Sequence, residues 1–190
     1  MGQPSPDHPG VPWATLPEVL RTPRLVLRPP RPADAAGIFA RWAQDPAVYR
    51  YLSMRPDTTV AQTEQSVLRA IEQRRQGTAL WWALTLPAED RPLGAVLLTP
   101  ADHQAELGYA LARDAWGRGY ATEAAAAVAG AAWALPGVYR IWARCDVENA
   151  ASARVLEKVG MQREGTLRRA VVRPNLGPEP RDVFVYARVR

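Results

Sequence analysis

Gly117 and Gly119 stand one residue apart, with Arg118 between them, at the mouth of an alanine-rich run that reaches Leu135. Residues of these types at this spacing can hold an anion. The first turn of a helix carries unpaired N–H groups and the positive end of its dipole. Glycines remove the Cβ atoms that would keep a phosphate off the backbone, and Arg118 adds a positive charge. Each such interaction contributes about 0.3–2 kcal/mol, so a diphosphate needs several acting together. A nucleoside triphosphate, a dinucleotide and another phosphorylated ligand are the candidates. A triphosphate loop needs Lys and then Ser or Thr after its last glycine. Tyr120 and Ala121 follow here. The dinucleotide fingerprint needs a third glycine or an alanine and direct entry from a strand. Thr122 holds that third place, and residues 112–116 separate the glycines from the strand before them. The plain alternative is a tight loop that lets the helix pack closely.

Other reactive side chains are few. Cys145 is the only cysteine, and His8 and His103 are the only histidines. Cys145 could carry an acyl group, but its place in an alternating strand reads as core. His103 falls in a turn. No close His/Cys/Asp cluster suggests a metal, and one cysteine excludes an intrachain disulfide. A reducing cytoplasm suits that count.

The 190 residues carry a formal charge of +5 and are 47% hydrophobic, the balance of one globular domain. We divide the chain into a proline-rich tail, residues 1–20, and a single domain, residues 21–190. The arginines are dispersed, and no nucleic-acid module is recognisable, so direct nucleic-acid binding is not expected. No stretch is apolar and long enough to span a membrane, and residues 1–20 lack the apolar centre of a signal peptide. A homodimer is compatible with all of this.

Several elements must position the glycine turn. Residues 24–29 alternate as a first strand. Residues 33–45 read as a helix with Ile38, Phe39 and Trp42 on one face, ended by Asp45-Pro46. A second helix runs from Val60 to Gln76, with Val67, Leu68 and Ile71 as its stripe and Gly77 as its stop. Three strands follow, at residues 79–86, 92–99 and 104–111, in an antiparallel meander. After the alanine-rich helix come a strand at 138–147 and a helix with Asn149 as N-cap and Gly160 beyond its end. Strands at 165–172 and 181–189, joined by the loop 174–180, close the chain. The order is β-α-α-β-β-β-α-β-α-β-β. It predicts an α/β fold, a twisted mixed sheet of about seven strands with helices on both faces.

The stretches ELGYALARDAWGRGYATEA and ARCDVENAASARVLEKVGMQREG closely resemble the GNAT superfamily of acyl-CoA-dependent N-acetyltransferases, within it the RimJ/RimL type that acts on ribosomal-protein N-termini. The resemblance spans nearly the whole chain, and the element order is that of GNAT proteins. The wider superfamily begins its glycine motif with Gln or Arg, where this chain has Trp116. The resemblance implies acetyl-CoA as donor. Its diphosphate would lie on the amides of Gly117, Arg118, Gly119, Tyr120, Ala121 and Thr122, next to Trp116. Glu123 would point aside. Tyr109, Ala110 and Leu111 would hold pantetheine by backbone groups in a gap between splayed strands. Asn149 and Ser152 would touch the coenzyme. Ser152 would protonate the leaving thiolate, against the plain reading of a serine bonded back to its own helix. Glu106, beside the thioester, would be the general base, against that of a solvated carboxylate.

The implied reaction is direct attack by an amine on the bound thioester. A chain-terminal amine has a pKa of about 8 and a lysine about 10.4, which costs the lysine roughly 3 kcal/mol more in deprotonation. Without a histidine base, the sequence favours a protein N-terminal α-amine. Small amines (an antibiotic, a polyamine, an amino acid) and an inactive acyl-CoA sensor are the alternatives. The acceptor wall would come from the first two helices and the loop 174–180, with Trp42, Tyr49, Tyr51, Trp81 and Trp82 as candidate lining.

Overall fold

The computed structural model describes residues 10–190. A short strand β1 (Leu20–Arg21) turns through Thr22 into β2 (Val26–Arg28). Helix α1 (Asp34–Ile38) widens into a π turn at Phe39–Ala43. Asp45 then caps a new helix, α2 (Pro46–Tyr49), accepting from the Ala47 amide at 2.9 Å with proline at N1. Asp45-Pro46 thus ends one helix and starts the next.

Helix α3 (Val60–Gln76) has the expected bounds and ends at a left-handed Gly77; the structure adds Thr59 as its N-cap. Its stripe differs from the expected one. Thr63, Val67 and Ala70 are buried, whereas Leu68 is 53% exposed. The spacing of four and then three keeps the first set on one face, and Leu68 lies about 100° round from Val67.

Strands β3 (Leu80–Leu86), β4 (Glu89–Ala101) and β5 (Gln104–Leu111) form the meander. β4 starts before Pro92, which sits opposite the register shift between Leu84 and Leu86. An irregular ladder there tolerates a residue without an N–H. The chain continues through α4 (Tyr120–Trp133), β6 (Arg140–Asp146), α5 (Ala150–Lys158), β7 (Gln162–Val172) and β8 (Pro180–Val189).

One eight-stranded sheet results, in the order β1-β2-β3-β4-β5-β6-β8-β7. The strand added to the expected seven is β1. Every pairing is antiparallel except β5–β6. The sheet buries both faces. On one, Leu107 and Leu111 meet Ala124, Ala125 and Val128 of α4 and Leu156 of α5. On the other, Ala112 joins Ile38, Trp42, Tyr49 and Val67. The alanines of α4 bring its backbone close to the sheet. Ahead of β1, Leu16 is buried in the first of these cores.

Candidate active site

The site begins where the sheet parts. β5 and β6 pair only from Gln104 with Arg140 to Glu106 with Trp142. Beyond that, β5 follows β4 to Leu111, and β6 follows β8 to Asp146. The Ala112 N–H donates to Leu93 at 2.8 Å, continuing the β4 ladder. In a regular antiparallel ladder, even-numbered residues of β5 then turn their backbone groups to β4 and odd-numbered ones to β6. Tyr109 and the Leu111 N–H therefore face the gap. Ala110 turns its backbone to its β4 partner Ala95. The Leu111 carbonyl accepts the Trp116 indole N–H at 2.8 Å, so Trp116 braces the corner where β5 leads into the glycine turn.

The turn ends at α4, whose cap is Gly119 with φ +77° and no side chain over the first amides. Gly117 is left-handed as well, at +73°, and a Cβ on it would meet nothing. The mouth is open, and both backbones adopt a conformation that glycine tolerates best. The rear of the turn is clamped. The Arg24 Nη1 donates to the Arg118 carbonyl at 2.8 Å. Because the peptide is planar and trans, the Gly119 N–H points the opposite way. Glu123 does point aside: it accepts from the Thr22 hydroxyl at 2.6 Å, the Arg24 amide at 2.9 Å and the Arg24 Nε at 2.6 Å. Burial alone would raise its pKa, but these donors outweigh it and hold the carboxyl below its ordinary value. The guanidinium of Arg24 also lies 4.9 Å from the Tyr120 ring centre. Bare amides and paired glycines fit a diphosphate, and the free edge of β5 fits an amide-bearing arm.

Across the gap, Asn149 caps α5 by accepting from the Ser152 amide at 3.1 Å, a bond worth about 1 kcal/mol. The Ser152 hydroxyl lies 2.8 Å from the Tyr109 hydroxyl, which also reaches the Ser152 carbonyl at 3.2 Å. Burial raises the Tyr109 pKa, so the phenol stays protonated at neutral pH. The Tyr109 side chain, 43 residues from Ser152 in sequence, gave no local signal. Cys145 is buried, and burial pushes its thiol up to about 11. It is not a thiolate at neutral pH.

On the opposite sheet face lies a cavity of about 240 Å³, lined by Glu106, Gly108, Arg144, Arg173, Ser53 and residues of β4. Both Glu106 oxygens accept from Arg144, at 3.0 and 3.2 Å. Arg173 is buried, and its Nη1 donates to the Ser53 hydroxyl at 2.8 Å. Asn175 pins the loop 174–180 to the link between α2 and α3, donating to Tyr49 at 2.7 Å and Met54 at 2.8 Å. None of the residues that line this cavity belongs to the first two helices or to the loop 174–180, and its polar lining is Glu106, Arg144, Arg173, Ser53 and Thr99. Trp82 is fully buried, and Trp42 and Tyr49 belong to the core.

A more open groove of about 570 Å³ runs past Arg41, Asp45, Arg113 and Asp114. Its charges already pair across it, Arg113 with Asp45 and Arg41 with Asp114, and none of its lining residues belongs to β5, β6 or the glycine turn. His103 sits in the β4–β5 turn against the Tyr139 ring, away from the gap. Among the described residues no cluster could hold a metal, and no helix could cross a membrane.

A sheet opened between two parallel strands, with a bare helix N-terminus at one end and hydroxyls at its flank, is the architecture of a transferase with a long phosphorylated donor. The GNAT acetyltransferase domain matches residues 24–162. The uncharacterized N-acetyltransferase p20 of Bacillus licheniformis is 30% identical over 154 residues, covering 80% of this chain and 86% of that protein. The chain belongs to the GNAT acetyltransferase family. Among solved structures, a GNAT acetyltransferase of Bacillus anthracis superposes with a TM-score of 0.79 at 25% identity, over 90% of this chain and 98% of that one. RimJ of Mycobacterium smegmatis, solved with a coenzyme A disulfide, gives 0.76 at 25% identity, over 87% and 81%.

Proposed function

We propose that this enzyme transfers acetyl from acetyl-CoA to a protein N-terminal α-amine. Amine acetylation with acetyl-CoA is the chemistry of its family; the acceptor is our reading. The observation that supports it is the lack of a histidine at the gap: among the described residues His103 is the only one, and it sits in the β4–β5 turn against the Tyr139 ring. A site without an imidazole base suits an α-amine of pKa about 8 better than a lysine of about 10.4.

Each residue then has a task. Amides from Gly117 to Thr122 hold the diphosphate, with Arg118 beside them and Trp116 bracing the corner. Tyr109 and Leu111 hold the pantetheine arm by backbone groups, and Asn149 keeps α5 aimed at it. Acetyl-CoA supplies the acyl group. The amine attacks the thioester carbonyl, and its proton leaves through Glu106 or water. Ser152 donates a proton to the departing sulfur, and Tyr109 passes it a replacement through the 2.8 Å contact, regaining its own from solvent once the thiol has left. A small amine is the second reading, favoured by the modest volume of the cavity.

Titration calorimetry with acetyl-CoA, followed by thiol release with N-terminal peptides and with small amines, tests this. Turnover of peptides through the α-amine is expected. Turnover of small amines alone would replace the acceptor, and absence of acetyl-CoA binding would overturn the reading.

A further inference from the structure

Arg173 is 8% exposed, immediately after β7, and lines the cavity beside Glu106 and Arg144. Its Nε has no hydrogen-bond partner among the described residues. Its Nη1 bonds only a neutral hydroxyl, that of Ser53. The neighbouring carboxylates are engaged elsewhere. Both Asp146 oxygens accept from Arg181, at 2.7 and 3.2 Å, and one also takes the Glu148 amide. Both Glu106 oxygens belong to Arg144.

A guanidinium keeps its proton even when buried, and burying it without an anion is costly. The loop carrying Arg173 is fixed by Asn175 to two carbonyls, so the donor is already positioned. The cavity holds two guanidinium groups against one carboxylate. That balance repels a polyamine and attracts an anion. The volume of about 240 Å³ admits a side-chain-sized group.

Resting on the acetyltransferase reading, we propose that Arg173 selects the acceptor by pairing with a carboxylate that the acceptor carries next to its amine. The amine end meets Glu106, and the acidic end meets the Arg173 guanidinium where it lines the cavity. Planar carboxylate and planar guanidinium match in two parallel hydrogen bonds. That carboxylate could belong to an acidic first or second residue of a protein N-terminus, or to a free amino acid. Either source presents the same chemistry.

The test uses the full chain with acetyl-CoA and pairs of acceptors that differ by one isosteric group. Peptides beginning with Asp or Glu, or bearing them second, are compared with the Asn and Gln forms. Free amino acids are compared with their α-amides. The acid of a pair should exceed its amide in kcat/KM by about 10–100-fold, because an unmet buried donor rejects the neutral form. A preference among peptides assigns the carboxylate to a protein N-terminus; a preference only among free amino acids assigns it to a small molecule. Arg173→Met should collapse the acid-to-amide ratio toward one, and Arg173→Lys should restore part of it. Equal kcat/KM for acid and amide in the unmodified protein would overturn the proposal, whether or not the variants fold. No turnover of any amine would overturn the enzymatic reading first, and this inference with it.

Discussion

At the scale of single residues, the hydroxyl pair carries the clearest consequence. If Ser152 delivers the proton and Tyr109 renews it, Ser152→Ala and Tyr109→Phe both slow the chemical step. A positioned acid contributes about 100–10,000-fold, and water can replace part of it. We expect kcat to fall roughly 10–100-fold, with acetyl-CoA affinity changed far less. Stopped-flow rates beside calorimetry separate the two effects. Wild-type rates in both variants would remove the pair from the mechanism. Cys145 gives the complementary prediction. With its thiol pushed up to about 11 by burial, it carries no acyl group. Cys145→Ala should keep most of the activity, and a thiol reagent at neutral pH should label the native chain slowly and the unfolded chain at once.

At the scale of elements, the glycine turn depends on a brace from the far end of the sequence. Thr22 and Arg24 clamp Glu123 and the Arg118 carbonyl. Glu123→Gln removes a charge-assisted contact and leaves Arg24 partly unpaired. A loss of about 1–3 kcal/mol in stability is expected, seen as a lower Tm, together with weaker acetyl-CoA binding as the Gly119 amide loses its fixed direction. An unchanged dissociation constant would confine the brace to stability. Gly119→Ala should act on the same turn, since φ +77° costs a residue with a Cβ about 1 kcal/mol. The span of α3 up to its Gly77 stop and the Asn149 cap of α5 were legible in sequence because they depend on neighbours a turn apart. The brace joins residues about a hundred apart, Arg24 and Glu123, and no local pattern announces it. Leu68 was misplaced for a related reason. An apolar residue beside a stripe looks like part of it until tertiary packing fixes the rotation of the helix.

At the scale of the whole molecule, segments far apart in sequence flank the candidate site. Residues 22–24 brace the glycine turn, and residues 173–175 reach back more than a hundred positions to Ser53 and Met54 beside the cavity. The motif-bearing segment from Glu106 to Ser152 drew attention in sequence because its residues lie in recognisable local patterns, whereas the Arg173–Ser53 and Asn175–Met54 contacts join distant segments and left no local signal. Asp146 links β6 to β8 through Arg181. Burial alone would raise its pKa, but Arg181 and the Glu148 amide hold it below its ordinary value. A carboxyl depressed in the folded state contributes its stability above the unfolded pKa of about 3.9 and loses it as pH falls through the folded value. Unfolding midpoints measured downward from pH 6 should drop below pH 4, and Asp146→Asn should start lower and flatten that fall. The parted sheet also leaves a signature in solvent exchange. Along β5, the amides of Gly108 and Ala110 point into the β4 ladder, and those of Tyr109 and Leu111 point into the gap. Deuterium should therefore enter this one strand in alternation, fast at odd positions and slow at even ones. When the donor fills the slot, the alternation should disappear, as though a ninth strand had been laid into the sheet.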